Sequence, residues 1–173
     1  MYNKGRRMMG SSNGTSDLAL MQLALEEARL AEASGDVPVG AVAVLAGAVV
    51  ARQRNRKEAW ADPTAHAELL VLREAANRLG RWRLPDVSIY VTMEPCPMCA
   101  GAMVQARVGR LVYAVPDPRA GAAGSVFDIV NSPRLNHRVE VASGALQGEV
   151  GELLSRFFAR LRQEPAEALG AGG

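Results

Sequence analysis

From residue 17 to 34 the chain reads DLALMQLALEEARLAEAS, with Leu18, Met21, Leu25 and Ala28 recurring at three- and four-residue spacing. That stripe predicts an amphipathic helix, with Ser16 or Asp17 capping its start and Gly35 following its end. The period then changes. VGAVAVL and AVVAR read as two short strands around a tight turn at Ala46-Gly47. After the loop RNRKEAWA, Asp62-Pro63 gives the cap-then-proline signal of a helix start. That helix is predicted to run to about Leu79, with Leu69, Leu72, Ala76 and Leu79 on its apolar face and Gly80 closing it. VSIYVT, residues 87–92, is a continuous β-rich run and predicts a buried strand. Pro95 opens a further helix to about Arg107, and RLVYAV is the next strand. DPRAGAAGS is a loop and RVEVAS a last short strand. Leu146, Val150, Leu153, Phe157 and Leu161 mark a long C-terminal amphipathic helix.

The order α-β-β-α-β-α-β-β-α predicts one three-layer α/β domain over residues 17–164, with at least part of the sheet parallel. Residues 1–16 read as a disordered N-terminal extension and 165–173 as a flexible tail. If the strands before the helices at Asp62 and Pro95 are parallel neighbours, both helices begin at one edge of the sheet. That is the edge at which α/β proteins bind ligands.

Composition narrows the class. A hydrophobic content of 49% with 22% charged residues is that of an ordinary soluble protein. The longest apolar run, Val37–Ala51, is broken by Pro38, Gly40 and Gly47 and falls short of the roughly 20 residues of a membrane helix. The opening residues are basic but lack the apolar core of a signal peptide, so a cytoplasmic protein without membrane association is expected. The net charge of +2 permits a nucleic-acid partner without requiring one. Basic residues do gather in the last third: Arg119, Arg134, His137, Arg138, Arg156, Arg160 and Arg162. An aromatic content of 5% argues against an extended base-stacking platform, although one of the adjacent Phe157 and Phe158 is free to lie outside the core.

The only two cysteines, Cys96 and Cys99, stand in EPCPMC. Two cysteines three apart are no disulfide framework, and C-x-x-C alone is ambiguous between a redox pair and a metal site. Spacing of three puts both sulfurs on one helical face. His66, near the start of the preceding helix, is brought opposite them by parallel packing. One imidazole and two thiolates make three ligands for zinc and leave a fourth position for water, the arrangement of a catalytic rather than a structural site. Glu68 follows His66 by two residues, which on an ideal helix point about 200° apart. Both face one site only if His66 occupies an irregular first turn; Glu68 then stands beside the metal as a proton shuttle. Jointly, H-A-E and P-C-P-M-C match H-x-E…P-C-x-x-C, the established signature of zinc nucleobase deaminases.

With VPVGAV, Asn55 in RNR, DPTAHAE, EPCPMCAGAM, GAAGS and NHRVE, residues 17–164 resemble the bacterial tRNA-specific adenosine deaminases of the cytidine-deaminase superfamily. The resemblance implies a cytidine-deaminase-like sandwich, with a central mixed five-stranded sheet flanked by helices. It implies one zinc per subunit on His66, Cys96 and Cys99, with Glu68 as the catalytic proton carrier. Asn55, Ala67 and Asp117 match substrate-binding positions, and Arg119, His137, Arg138 and Arg162 are candidate RNA contacts. The implied reaction is hydrolysis of adenosine to inosine at the wobble position of a tRNA-Arg-type anticodon loop, carried out by a homodimer. The tail EPAEALGAGG is acidic to neutral, so RNA contacts are expected to end near Glu164.

Three other readings keep part of this pattern. A deaminase of a small free base such as guanine keeps the metal site and Glu68 but has no use for the arginines. A zinc-stabilised binding module has no use for Glu68. A thiol redox protein leaves His66 and Glu68 without a purpose.

Overall fold

The computed structural model describes residues 16–163. The expected extension and tail lie outside that span, except Ser16, whose hydroxyl accepts from the Ala19 amide and caps the first helix. The elements are α1 (Asp17–Ala33), β1 (Gly40–Leu45), β2 (Ala48–Arg54), α2 (Ala67–Leu79), β3 (Val87–Met93), α3 (Pro97–Gln105), β4 (Arg110–Val115), β5 (Glu140–Ser143) and α4 (Gln147–Gln163).

The strands form one mixed sheet in the order β2-β1-β3-β4-β5. β1 is antiparallel to both β2 and β3, whereas β3–β4 and β4–β5 are parallel. The strands leading to α2 and α3, β2 and β3, therefore run in the same direction but are not neighbours, because β1 lies between them. A two-residue turn forces β1 and β2 to pair antiparallel, and β1 gives its other edge to β3. The turn itself is as expected: Ala46 (φ 50°) and Gly47 (φ 82°) both take positive φ, the geometry a tight hairpin requires.

Alternation along the strands divides the core between two faces. Ala41, Ala43, Ile89, Val91 and Leu111 point toward Val71, Ala75, Met103 and Val104 of α2 and α3. Val42, Val44, Tyr90, Val112 and Ala114 point toward Met21, Leu25, Val150 and Leu153 of α1 and α4. The result is the expected three-layer sandwich with a central mixed five-stranded sheet. Gly40 allows α1 to lie against β1, since a Cβ there would overlap the Ala24 carbonyl. The opposite end of α1 is tied to the sheet by Asp17, which pairs with Arg110 of β4 at 2.8 Å and accepts from the Tyr90 hydroxyl of β3 at 2.7 Å.

Three local expectations are corrected. Asp62-Pro63 does not begin α2: the Asp62 carboxylate accepts from the Thr64 amide (2.8 Å) and hydroxyl (2.7 Å), forming a local turn, and the helix starts at Ala67. Pro97, not Pro95, is the first residue of α3, which ends at Gln105. On α2 the buried face is Leu70, Val71, Leu72 and Ala75, and of the expected face only Leu72 is buried. Leu69 and Ala76, half-buried, line a surface groove with Trp82 and Ala102, and Leu72 forms part of its floor.

Candidate functional site

The sheet brings the starts of α2 and α3 together at one edge. His66 is the N-cap residue of α2, with extended backbone (φ −75°, ψ 145°), and Cys96 is the N-cap of α3 (φ −72°, ψ 171°). Cys99 lies in the first turn of α3 and is buried. Their donor atoms form a nearly equilateral triangle: Nδ1 of His66 is 3.8 Å from Sγ of Cys96 and 3.6 Å from Sγ of Cys99, and the sulfurs are 3.7 Å apart. Among the described residues this is the cluster that can hold a metal ion.

The extended conformation of His66 resolves the spacing of H-A-E. A residue outside the helix is not bound by the 3.6-residue turn, so His66 and Glu68, in the first turn of α2, both line one cavity of ≈ 140 Å³. Glu68 is 4% exposed. Burial pushes its carboxyl up to about 7, against the opposing pull of the His66 imidazole. The Cys99 thiol and, behind it, the His66 ring hold Cys96 well below the ordinary thiol range despite burial. Hydrogen bonding to Cys96 in turn raises His66.

Asn55, Ala67 and Asp117 line the same cavity, with Lys57, Met93 and Glu94. Asn55 is held on both sides: its Nδ2 donates to the Val37 carbonyl at 3.3 Å, and its Oδ1 accepts from the Lys57 amide at 3.2 Å. Beyond Met93 and Asp117, which border both spaces, lies a groove of ≈ 770 Å³ lined by Arg119, Phe158, Leu161 and Arg162. Phe157 is buried and its neighbour Phe158 faces this groove. The other two candidate contacts are elsewhere. His137 places Nε2 2.7 Å from the Val108 carbonyl, and Arg138 is exposed on the approach to β5.

Two buried carboxylates went unassigned in the sequence. Asp36 is fully buried and accepts from the amides of Glu58 (2.8 Å) and Ala59 (3.2 Å), fastening the loop after Asn55. Glu94, 2% exposed, accepts from the amides of Asp117, Ala123 and Ser125 and from the Ser125 hydroxyl. Burial opposes its charge, yet the Ser125 hydroxyl and these amides together hold Glu94 below the usual carboxylate range. Each carboxylate anchors a loop that supplies cavity residues. In sequence, the only signal for either was an acidic residue beside an apolar run.

A fold of this topology with an H-x-E and C-x-x-C donor set defines a metal-dependent deaminase, and the comparisons agree. The model of the MafB19-like deaminases matches residues 15–162. The tRNA-specific adenosine deaminase of Bacillus subtilis (strain 168) is 46% identical over 154 residues, covering 89% of this chain and 96% of that protein. A solved structure from work on A-to-I editing by tRNA:A34 deaminases at the wobble position of transfer RNA superposes with a TM-score of 0.75. It is 47% identical and covers 78% of this chain and 98% of its own. The guanine deaminase of Nitrosomonas europaea shares the fold at 25% identity and a TM-score of 0.69, covering 91% and 90%. The chain belongs to the MafB19-like deaminase family and, within it, groups with the tRNA-specific adenosine deaminases.

Proposed function

We propose that this chain hydrolyses adenosine to inosine at the wobble position of a tRNA anticodon, tRNA-Arg among its substrates, with one zinc ion per subunit. The observation that carries the reading is the adjacency of the two spaces, which share Met93 and Asp117 as lining residues. A cavity ending at the metal donors takes one flipped base, and a basic, partly aromatic groove beyond it takes the rest of an extruded loop. A free purine has no need of that groove. The guanine deaminase likeness keeps a second reading alive for the cavity alone, which holds a bare base equally well.

Zinc suits the donors. Tetrahedral bonds of about 2.3 Å to sulfur and about 2.0–2.1 Å to nitrogen give ligand–ligand edges of about 3.8 Å and 3.6 Å. The observed sides are 3.7 Å between the sulfurs and 3.6 and 3.8 Å to the imidazole. His66, Cys96 and Cys99 would hold the ion, which supplies Lewis acidity at its open position when bound. As the water oxygen bonds to the ring carbon bearing the amine, Glu68 takes one of its protons and gives it to the adjacent ring nitrogen; it then carries the remaining hydroxyl proton to the amine, which leaves as ammonia as the C–N bond breaks. Its buried position allows it to exist in both states near neutral pH, the requirement for a group that accepts and then donates. Asn55 and Ala67 hold the nucleoside, Asp117 borders the passage to the groove, and Arg119 and Arg162 bind phosphates along it. His137 and Arg138 are outer RNA contacts in this proposal.

A homodimer is supported by the apolar groove of ≈ 470 Å³ formed by Leu69, Leu72, Ala76, Trp82, Ala102 and Ala106, in which Trp82 is 59% exposed. Patches of this kind mark protein interfaces. No helix among the described residues is long and apolar enough to cross a membrane, and a tRNA substrate would support a cytoplasmic location.

The test is incubation of zinc-loaded protein with a tRNA-Arg bearing adenosine at position 34 and, separately, with guanine, cytosine and adenosine. Mass spectrometry showing inosine at position 34 alone supports the proposal. Product from a free base alone replaces it with the guanine-type reading.

A further inference from the structure

Glu94 stands two residues before Cys96, yet its side chain is directed at a different part of the molecule. Oε1 accepts from the amides of Ala123 (2.9 Å) and Ser125 (3.0 Å). Oε2 accepts from the amide of Asp117 (2.9 Å) and from the Ser125 hydroxyl. A carboxylate has about four acceptor positions, and these donors fill them. The main chain reinforces the same seat: the Glu94 amide donates to the Val115 carbonyl (2.9 Å), and the Ala122 amide to the Pro95 carbonyl (2.8 Å). Gly121 leaves room for the carboxylate, because a Cβ there would overlap Oε2. Asp117 in turn accepts at Oδ1 from the Arg119 amide, 2.9 Å away. One buried side chain therefore sets both Asp117, on the border between cavity and groove, and the start of the segment that carries Arg119.

We propose that Glu94 is a positioning residue for the polynucleotide: it holds the 117–125 loop in its binding conformation, and so governs substrate affinity rather than metal retention or the chemical step. This rests on the tRNA reading above.

The chemistry of the seat selects the variant. In Glu94→Gln one oxygen becomes an NH2 donor. Facing Ala123 and Ser125 it would oppose two amides; facing Asp117 and Ser125 it opposes one amide and a hydroxyl able to turn and accept. The second orientation is favoured, and it specifically releases the Asp117 amide. Removing one hydrogen bond to a buried charge corresponds to about a tenfold weaker interaction. Kinetics on an anticodon stem-loop should therefore show KM raised about tenfold with kcat within about twofold of wild type. Metal content should stay at one per chain. Hydrogen exchange without RNA should show faster exchange at Asp117, and this readout does not depend on the substrate assignment. If wild type edits no tRNA while exchange accelerates, the substrate reading fails and the loop anchoring survives. In an Asp117→Ala background, which keeps the residue-117 amide but removes the Asp117 side chain, Glu94→Gln should raise KM by less than it does alone. Ser125→Ala, which removes one hydroxyl at an exposed position, serves if Glu94→Gln does not fold, with a smaller rise in KM expected. Unchanged KM and exchange in the variant that folds would overturn the proposal, as would metal loss accompanied by a fall in kcat.

Discussion

Nδ1 of His66 lies 3.6 Å from Sγ of Cys99, across 33 residues of chain. That separation is spanned by α2, β3 and the turn into α3, so the metal triangle is a product of the sheet rather than of either motif alone. A ligand variant should therefore lose both metal and stability. For Cys99→Ser, metal analysis should show bound zinc falling well below one per chain. The stability linked to the ion falls with it, and each kcal/mol lost lowers the melting temperature by about 2–4 °C for a chain of this size. Full metal content in this variant would remove Cys99 from the ligand set.

Glu68 is buried beside the triangle without belonging to it. Glu68→Gln preserves its shape and removes its ability to carry a proton. Turnover should fall by about 10²–10⁴-fold, the range for a general acid–base group, while metal content and RNA affinity stay at wild-type levels. Single-turnover inosine formation alongside a filter-binding assay separates these; an active variant would exclude the proton-carrying role.

Arg119 and Arg162 line the groove beyond Asp117, and both are exposed. If both neutralise phosphates, affinity falls with salt, and each contact adds about 0.7 to the slope of log K against log salt for single-stranded RNA. The Arg119→Ala/Arg162→Ala pair should reduce that slope by about 1.4. An unchanged slope would show that the RNA does not follow the groove.

The apolar groove on α2 and α3 gives a test of assembly. Ala76→Arg places a long charged side chain in it and should convert a dimer into a monomer with its secondary structure intact. Light scattering with circular dichroism reads both. A wild-type monomer at micromolar concentration would instead leave Trp82 facing solvent and remove the homodimer reading.

Asp17 provides the pH dependence. The Arg110 guanidinium holds its carboxyl below the ordinary 3.8 despite partial burial, and the Tyr90 hydroxyl assists. A carboxyl depressed on folding stabilises the protein above its unfolded pKa, and that contribution disappears as pH falls through the folded value. Asp17→Asn should thus be less stable than wild type at pH 7. The difference should stay constant down to about pH 4 and shrink in stronger acid. Partial exposure of the pair limits the gap to about 1 kcal/mol. Urea denaturation from pH 7 to 2.5 follows it; a gap that widens in acid would reverse the assignment.

Periodicity and residue chemistry determined much of this protein without coordinates: the succession of helices and strands, the Ala46-Gly47 turn, and the His, Cys, Cys and Glu that meet at one sheet edge. These are local properties, carried by spacing of two or three and a half residues and by side chains with few alternative uses. Tertiary structure decided what depends on long-range pairing. It placed β1 between β2 and β3, because a strand has two edges and the sequence does not say which partner takes each. It moved the start of α2 from Pro63 to Ala67, where an extended His66 brings imidazole and Glu68 into one cavity. It divided the apolar residues of α2 between core and surface groove, a choice set by the neighbouring layer. It gave Asp36 and Glu94 their loops, since a buried carboxylate is stable only where amides distant in sequence converge to meet it.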